Sequence, residues 1–211
     1  MRFAAVVAVL AAAYAQPRME HARVETRAVA GSLAATMQAI LGAQSSPAWV
    51  GYWVPMAAGE HEMCCYNGNG RCGCALEGGT AAANAGGPGT VHLEGPRELV
   101  VLFRIANHAI EKARVYSGDC TLDAGDLPVV WITGVAPADS LRYLASLVPG
   151  EQRHSNVIAA MALHGDPGAI PAVIQLVREN ANRRVRQQAL FWLAHSNDPR
   201  GMQFIQSVLE R

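Results

Sequence analysis

The chain has 211 residues, 51% of them apolar and 16% charged, and its formal charge at pH 7 is zero. That composition excludes a largely disordered protein. Without net charge there is no overall field to recruit nucleic acid or an acidic membrane, so no nucleic-acid partner is expected.

The chain opens with Met1 and Arg2, an uncharged apolar run from Phe3 to Ala13, and the small-residue pattern Ala13, Tyr14, Ala15. A run of this length is too short for a bilayer core of roughly 30 Å, which takes about 20 apolar residues. Residues 1–15 therefore read as a removable export signal, and the mature chain as secreted or periplasmic with no stable membrane anchor. Next, Val24 to Val29 suggests a short strand. Ser32 is placed to cap a helix whose apolar face is Leu33, Met37, Ile40 and Leu41, ending near Gly42. Between Pro47 and Pro55 the aromatic and β-branched residues predict a strand, with Trp49, Gly51 and Trp53 on one side and Val50, Tyr52 and Val54 on the other.

Five cysteines follow: Cys64, Cys65, Cys72, Cys74 and Cys120. In an exported chain disulfides are the default expectation. The neighbours Cys64 and Cys65 are badly placed to bridge each other, and Cys72 and Cys74 are nearly as cramped. The expected pairs join the first doublet to the second, or to Cys120, and the odd number leaves one thiol over. A thiolate site of Cys64, Cys65, Cys72 and Cys74, with His61, would suit zinc or cuprous ion, but the spacing is not that of a zinc knuckle. No cofactor is expected.

From Tyr66 to Pro96 glycine is dense and apolar residues are few, which predicts a loop. Within it, Gly68 to Gly73 spells the dinucleotide fingerprint but lacks the helix that motif needs, and cysteines flank it. His61 and Glu62 begin like a zinc-protease helix, yet Cys65 stands where the second histidine belongs. A hairpin comes next, with strands at Glu98 to Ile105 and Ile110 to Tyr116 and a turn at Asn107 and His108. Asp119, Asp123 and Asp126 lack the spacing of a calcium loop and read as turn acids. Leu127 to Thr133 is expected to be the last strand of a small α+β unit spanning residues 16–135.

Beyond it the sequence repeats every 32 residues. Ala138, Leu141 and Leu144 return as Ile170, Val173 and Leu176, then as Met202, Ile205 and Val208. Val157, Ile158, Met161 and Ala162 return as Ala189, Leu190, Leu193 and Ala194. Two helical stripes per unit predict stacked helix pairs. The fold expected overall is α+β: a small mixed cysteine-containing domain with a β-hairpin, followed by a short α-solenoid over residues 136–211. The turns match as well, Gly165, Asp166 and Pro167 in one unit and Asn197, Asp198 and Pro199 in the next. Aspartate before proline suits a helix start, because it caps free amides where proline needs no partner. Trp131 and Trp192 are expected in the core.

The Gly165-Asp166-Pro167 turn, the Val185-Arg186 pair and the Ala189-Leu190 pair resemble the HEAT-repeat family, in the short form named after phycobilisome lyases. Where that family has an aspartate four positions before the arginine, this chain has Asn182. The resemblance implies an extended binding surface, with Arg186 as an inter-repeat ladder residue. His164 and His195 lack the following glutamate of the di-iron members, since Gly165 and Ser196 come next. The Arg183, Arg184 and Arg186 cluster reads as a solvated helix start.

The last stripe, Met202, Ile205, Val208 and Leu209, is expected to face a further helix, a homodimer partner or another protein. Function is therefore read as an exported, non-enzymatic scaffold or adaptor that binds an unidentified protein partner. Two alternatives stand beside it: a lyase-like metal- or cofactor-handling protein built on the cysteine cluster, and a truncated remnant without an independent role.

Overall fold

In the computed structural model, residues 16–59, 61, 63–64, 66–67, 70–71, 74–77, 97–148 and 156–210 are described. The expected export signal, Cys65, Cys72, Glu62 and the glycine-rich stretch 78–96 lie outside them. The strands are β1 (Met19–Glu20), β2 (Arg23–Ala28), β3 (Ala48–Pro55), β4 (Tyr66–Asn67), β5 (Gly70–Arg71), β6 (Cys74–Ala75), β7 (Glu98–Ala106), β8 (Ala109–Ser117), β9 (Leu122–Asp123) and β10 (Pro128–Thr133). The helices are α1 (Leu33–Ala43), α2 (Pro137–Leu147), α3 (Val157–Ala162), α4 (Ala169–Glu179), α5 (Arg183–His195) and α6 (Pro199–Leu209).

The centre is a five-stranded mixed sheet in the order β2-β10-β3-β7-β8. β10 lies parallel to both β2 and β3, while β3, β7 and β8 run antiparallel. Side chains alternate along each strand, so two cores form, one on each face. On one face Val50, Tyr52, Val54, Leu99, Val101, Phe103, Val130 and Ile132 pack with the helices. On the other, Trp49, Val100, Leu102, Val129 and Trp131 meet Cys74, Leu76, Cys120 and Leu122. The second cover is a small sheet, β1-β9-β6. Part of the segment expected to be loop is thus β4, β5 and β6, strands of two residues each, too short to leave an alternation pattern.

Local chemistry explains several elements. Ser32 accepts from the Ala35 amide and starts α1. The hairpin turns at Asn107 and His108, both left-handed at φ 50° and 60°, as a two-residue turn matching strand twist requires.

The expected α-solenoid after the hairpin is not what forms. The chain is mixed α/β: α2 packs on β3 and α3 on β8, and the later helices continue the same apolar cluster, so the helices share the core of the sheet and form no separate array. One apolar cluster runs from Leu33 and Met37 through Phe103 and Val115 to Ile158, Val173, Leu193 and Phe204. Tyr143 of α2 meets Phe103 of β7 edge-on, with ring centroids 5.9 Å apart. Asn156, just before α3, donates to the Ala113 carbonyl of β8 at 3.1 Å. Beyond α3, Met56 and His164 form an antiparallel bridge, and the Gly165 amide donates to the Pro55 carbonyl at 2.8 Å. The physical reason is simple. An amphipathic stripe demands an apolar neighbour but does not say whether that neighbour is a helix or a sheet.

Candidate functional site

Three groups of side chains bring together residues with chemical potential, beginning with the cysteines. Cys64 and Cys120 form a disulfide, S–S 2.06 Å, joining residues 56 apart in sequence. Closing a loop of that length stabilises the fold by about 4 kcal/mol in the chain-entropy picture. Cys74 is disulfide-bonded too, and buried. Asp119 sits beside Cys64 and Cys120, with ligand-type atoms within 4.8 Å of one another, but both sulfurs are spent on the bond. His61 is buried with Nε2 3.2 Å from the Ala58 carbonyl. The thiolate site therefore loses Cys64 and Cys74. Ser117 lies under the bridge, its hydroxyl 3.2 Å from the Cys120 sulfur.

The second group is a buried chain of polar atoms on the helix side of the sheet. The Asp166 amide donates to His164 Nδ1 at 3.0 Å. His164 Nε2 lies 3.1 Å from Ser140 Oγ, and Ser140 donates to the Tyr52 hydroxyl at 3.0 Å. A serine beside a histidine invites a hydrolase reading, but the protons run the wrong way. Because Nδ1 accepts, the neutral ring carries its proton on Nε2 and donates to Ser140. A general base needs that lone pair free to receive the serine proton. Burial pushes the His164 pKa down to about 4, against a smaller opposing pull from Asp166. Tyr52 is raised, mainly by burial, with the bond from Ser140 opposing. All three residues are buried, so the chain is a latch between β3, α2 and the turn after α3.

The third group lies on the opposite face. Glu77 accepts from Trp49 Nε1 at 2.8 Å and from Arg104 Nε at 2.9 and 3.0 Å. Arg104 also pairs with Glu111. Lys112 donates to the Leu76 carbonyl at 3.1 Å and stands 5.3 Å over the Trp49 ring. Burial works to raise the Glu77 pKa, but Arg104 and Trp49 outweigh it and the carboxylate is held below its usual range. Each of these charged side chains has a partner on this chain, so the group fastens the end of β6 to the sheet. Sequence reading missed Glu77, though a signal existed: Arg104 follows Val100 and Leu102 on one face of β7, and an ion there requires a counter-ion.

The remaining predicted residues divide clearly. Asp166 accepts from the Gly168 amide at 2.8 Å, and the Pro167 carbonyl accepts from Arg200 at 2.9 Å. Asp198 caps α6 by accepting from the Arg200 amide at 2.8 Å, with Pro199 in the first turn. Arg186 donates to the Asn180 and Ala181 carbonyls at 2.7 and 3.0 Å, within its own turn and not to an acid of another helix. On α6, Ile205 is half-buried against the core, whereas Met202, Val208 and Leu209 are 46%, 46% and 79% exposed. The residues that face inward are Gly201 and Phe204. A cleft of about 260 Å³ at the ends of β3 and β10 is lined by Trp53, Pro55 and residues 132–137, without a titratable side chain. No known protein family, curated protein or solved structure matches the chain.

Proposed function

We propose that the protein works outside the cytoplasm as a non-catalytic binding module that holds a protein partner on the outer face of α5 and α6. The observation that carries this reading is where apolar surface remains open. Of the six large apolar side chains exposed among the described residues, five lie on these two helices: Leu190, Phe191, Met202, Val208 and Leu209. Phe191 is 53% exposed yet fixed in place, edge-on to Trp192 at 5.4 Å and against His195 at 4.1 Å. A pre-ordered exposed aromatic is the kind of group that anchors protein interfaces. The opposite side of both helices is tied into the core through Val185, Ala189, Leu193 and Phe204, so the surface costs little to order on binding.

Export is supported by the bond between Cys64 and Cys120, which suits an oxidising compartment, and by the leader-like pattern of residues 1–15. Among the described residues no helix is long and apolar enough to cross a membrane. The non-catalytic reading rests on the direction of the proton in the His164–Ser140 pair.

The test is site-specific photocrosslinking in the native host. A photoreactive residue at Phe191 is expected to give one discrete adduct, lost when Met202→Asp is added and absent when the probe sits at the exposed Gln175 of α4. No adduct at Phe191, or the same adducts at Gln175, overturns the reading.

A further inference from the structure

Among the described residues β2 pairs along its backbone with β10 alone, at the edge of the central sheet; all six of its residues are exposed, and the Thr26 hydroxyl accepts from Gln16 at 3.5 Å. A parallel edge strand open on both faces and along its free side is unusual, because an unpaired row of amides and carbonyls is a template for another strand. Common protections are missing from it: β2 (Arg-Val-Glu-Thr-Arg-Ala) contains no proline, and the one register irregularity of this sheet falls at Arg104 and Ile105. What it does carry is an alternation of charge.

The backbone fixes which groups are free. The Val29 amide donates to the Thr133 carbonyl at 2.8 Å, and the Thr133 hydroxyl reaches the Arg27 carbonyl at 3.4 Å. Odd-numbered residues of β2 therefore direct their backbone at β10. By alternation, Val24, Thr26 and Ala28 direct theirs to the open side. Arg23, Glu25 and Arg27 share one face, where Arg27 Nε donates to Glu25 at 2.7 Å.

An antiparallel partner strand must set its own outward residues against Val24, Thr26 and Ala28. If that strand is a second β2, few registers remain. Centring on Glu25 puts Glu25 against Glu25 and Arg23 against Arg27. Centring on Arg27 puts Arg27 against Arg27. Centring on Val24 gives opposite charges, but only residues 23–25 of each strand overlap. Centring on Thr26 places Glu25 opposite Arg27 on both sides of the axis, with Val24 opposite Ala28. Those charged pairs occupy the non-hydrogen-bonded positions, where Cα atoms come within about 4.5 Å and side chains meet best. Charges that would repel most incoming strands select this one.

We propose that β2 pairs antiparallel with the β2 of a second copy of this chain, centred on Thr26 with Glu25 opposite Arg27, joining two sheets into one. The occupant is a second copy because the charge pattern is complementary to itself in that register. The interface is separate from the α5–α6 face and does not depend on the function proposed for it.

Sedimentation velocity of the full chain, followed across a wide concentration range, tests this. A reversible dimer is expected. Glu25→Arg sets like charges opposite each other twice and should weaken the dimer by about tenfold or more. The double variant Glu25→Arg with Arg27→Glu should restore it. Thr26→Pro deletes an outward amide without touching the β10 ladder and should leave a monomer with wild-type circular dichroism. A monomer at every concentration overturns the proposal. So does a dimer that withstands both Glu25→Arg and Thr26→Pro, or a folded double variant that stays monomeric. A dimer broken by Leu209→Asp and not by Glu25→Arg also counts against it.

Discussion

A methyl group added at position 165 would meet the Pro55 carbonyl oxygen at 2.8 Å and the Met56 carbonyl oxygen at 2.9 Å. Both are backbone atoms of the bridge that fastens the turn after α3 to the end of β3, and neither can swing aside. Glycine is therefore needed at this turn by its neighbour in space. Gly165→Ala should cost about 1–3 kcal/mol and lower the melting temperature. Gly42, inside α1 with nothing within 4 Å of an added Cβ, should tolerate alanine or gain up to about 1 kcal/mol. Equal melting temperatures for the two variants would contradict this account. His164, in the same turn, gives a prediction with a sign. Its folded pKa of about 4 lies below the ordinary 6.5, so at intermediate pH the unfolded chain binds a proton that the native state refuses. Stability from this group is complete above pH 6.5 and lost as pH falls toward 4, by about 3 kcal/mol in all. His21, raised by its contact with Asp123, works in the opposite sense, contributing below its ordinary pKa and fading above. His164→Asn keeps an acceptor for the Asp166 amide but does not titrate. Denaturant midpoints at several pH values should therefore fall less steeply between pH 6.5 and 4 in the variant. Parallel curves would sink the idea.

At the scale of the element, α6 shows what a stripe can and cannot tell. Its apolar positions Met202, Ile205, Val208 and Leu209 are legible in the sequence, but packing inward falls to Gly201 and Phe204, with Ile205 at the margin. Phe204 is 7% exposed, with the Arg178 guanidinium 5.0 Å over its ring. Phe204→Ala should cost about 3 kcal/mol in urea unfolding, while Leu209→Ser at a 79% exposed site should change stability by less than about 0.5 kcal/mol. Comparable losses for the two would mean that Leu209 is packed. Other elements were readable because their signals are local. Short apolar runs between turn signals marked β3, β7, β8 and β10, and Ser32 marked the start of α1. What could not be read is whatever depends on distant residues. No local pattern tells β10 to insert between β2 and β3. Nor does any announce that Asp139 of α2 will accept from the Leu33 amide and cap α1 across 106 residues. Cys120 has no sequence neighbour that singles out Cys64, and Ser140 becomes buried only because Tyr52 and His164 arrive from elsewhere.

For the whole molecule, the 32-residue periodicity and the shared core lead to opposite expectations about autonomy. A self-sufficient array would fold once cut free. Here the first helices after residue 136 bury their apolar sides on the sheet. Tyr143 rests on Phe103, α3 lies along β8, and Val157, Ile158 and Leu144 are each 1% exposed or less. Removing residues 1–136 would return those side chains to water. At about 1.5–3 kcal/mol for each large apolar side chain, four such losses approach 10 kcal/mol, as much as the net stability of a typical domain. The segment also loses the bonds from Asn156 to Ala113 and from Gly165 to Pro55, together with the Tyr52 end of the buried latch. The isolated segment 137–211 is therefore expected to keep at most partial helical circular dichroism, to melt without a cooperative transition and to exchange its amides rapidly. The full chain should unfold in one sharp step in which the near-ultraviolet signal of buried Trp131 and Tyr52 disappears together with the helical signal. A fragment that melts cooperatively, or a full chain whose helices melt apart from its sheet, would show that the two halves do not depend on each other as their packing requires.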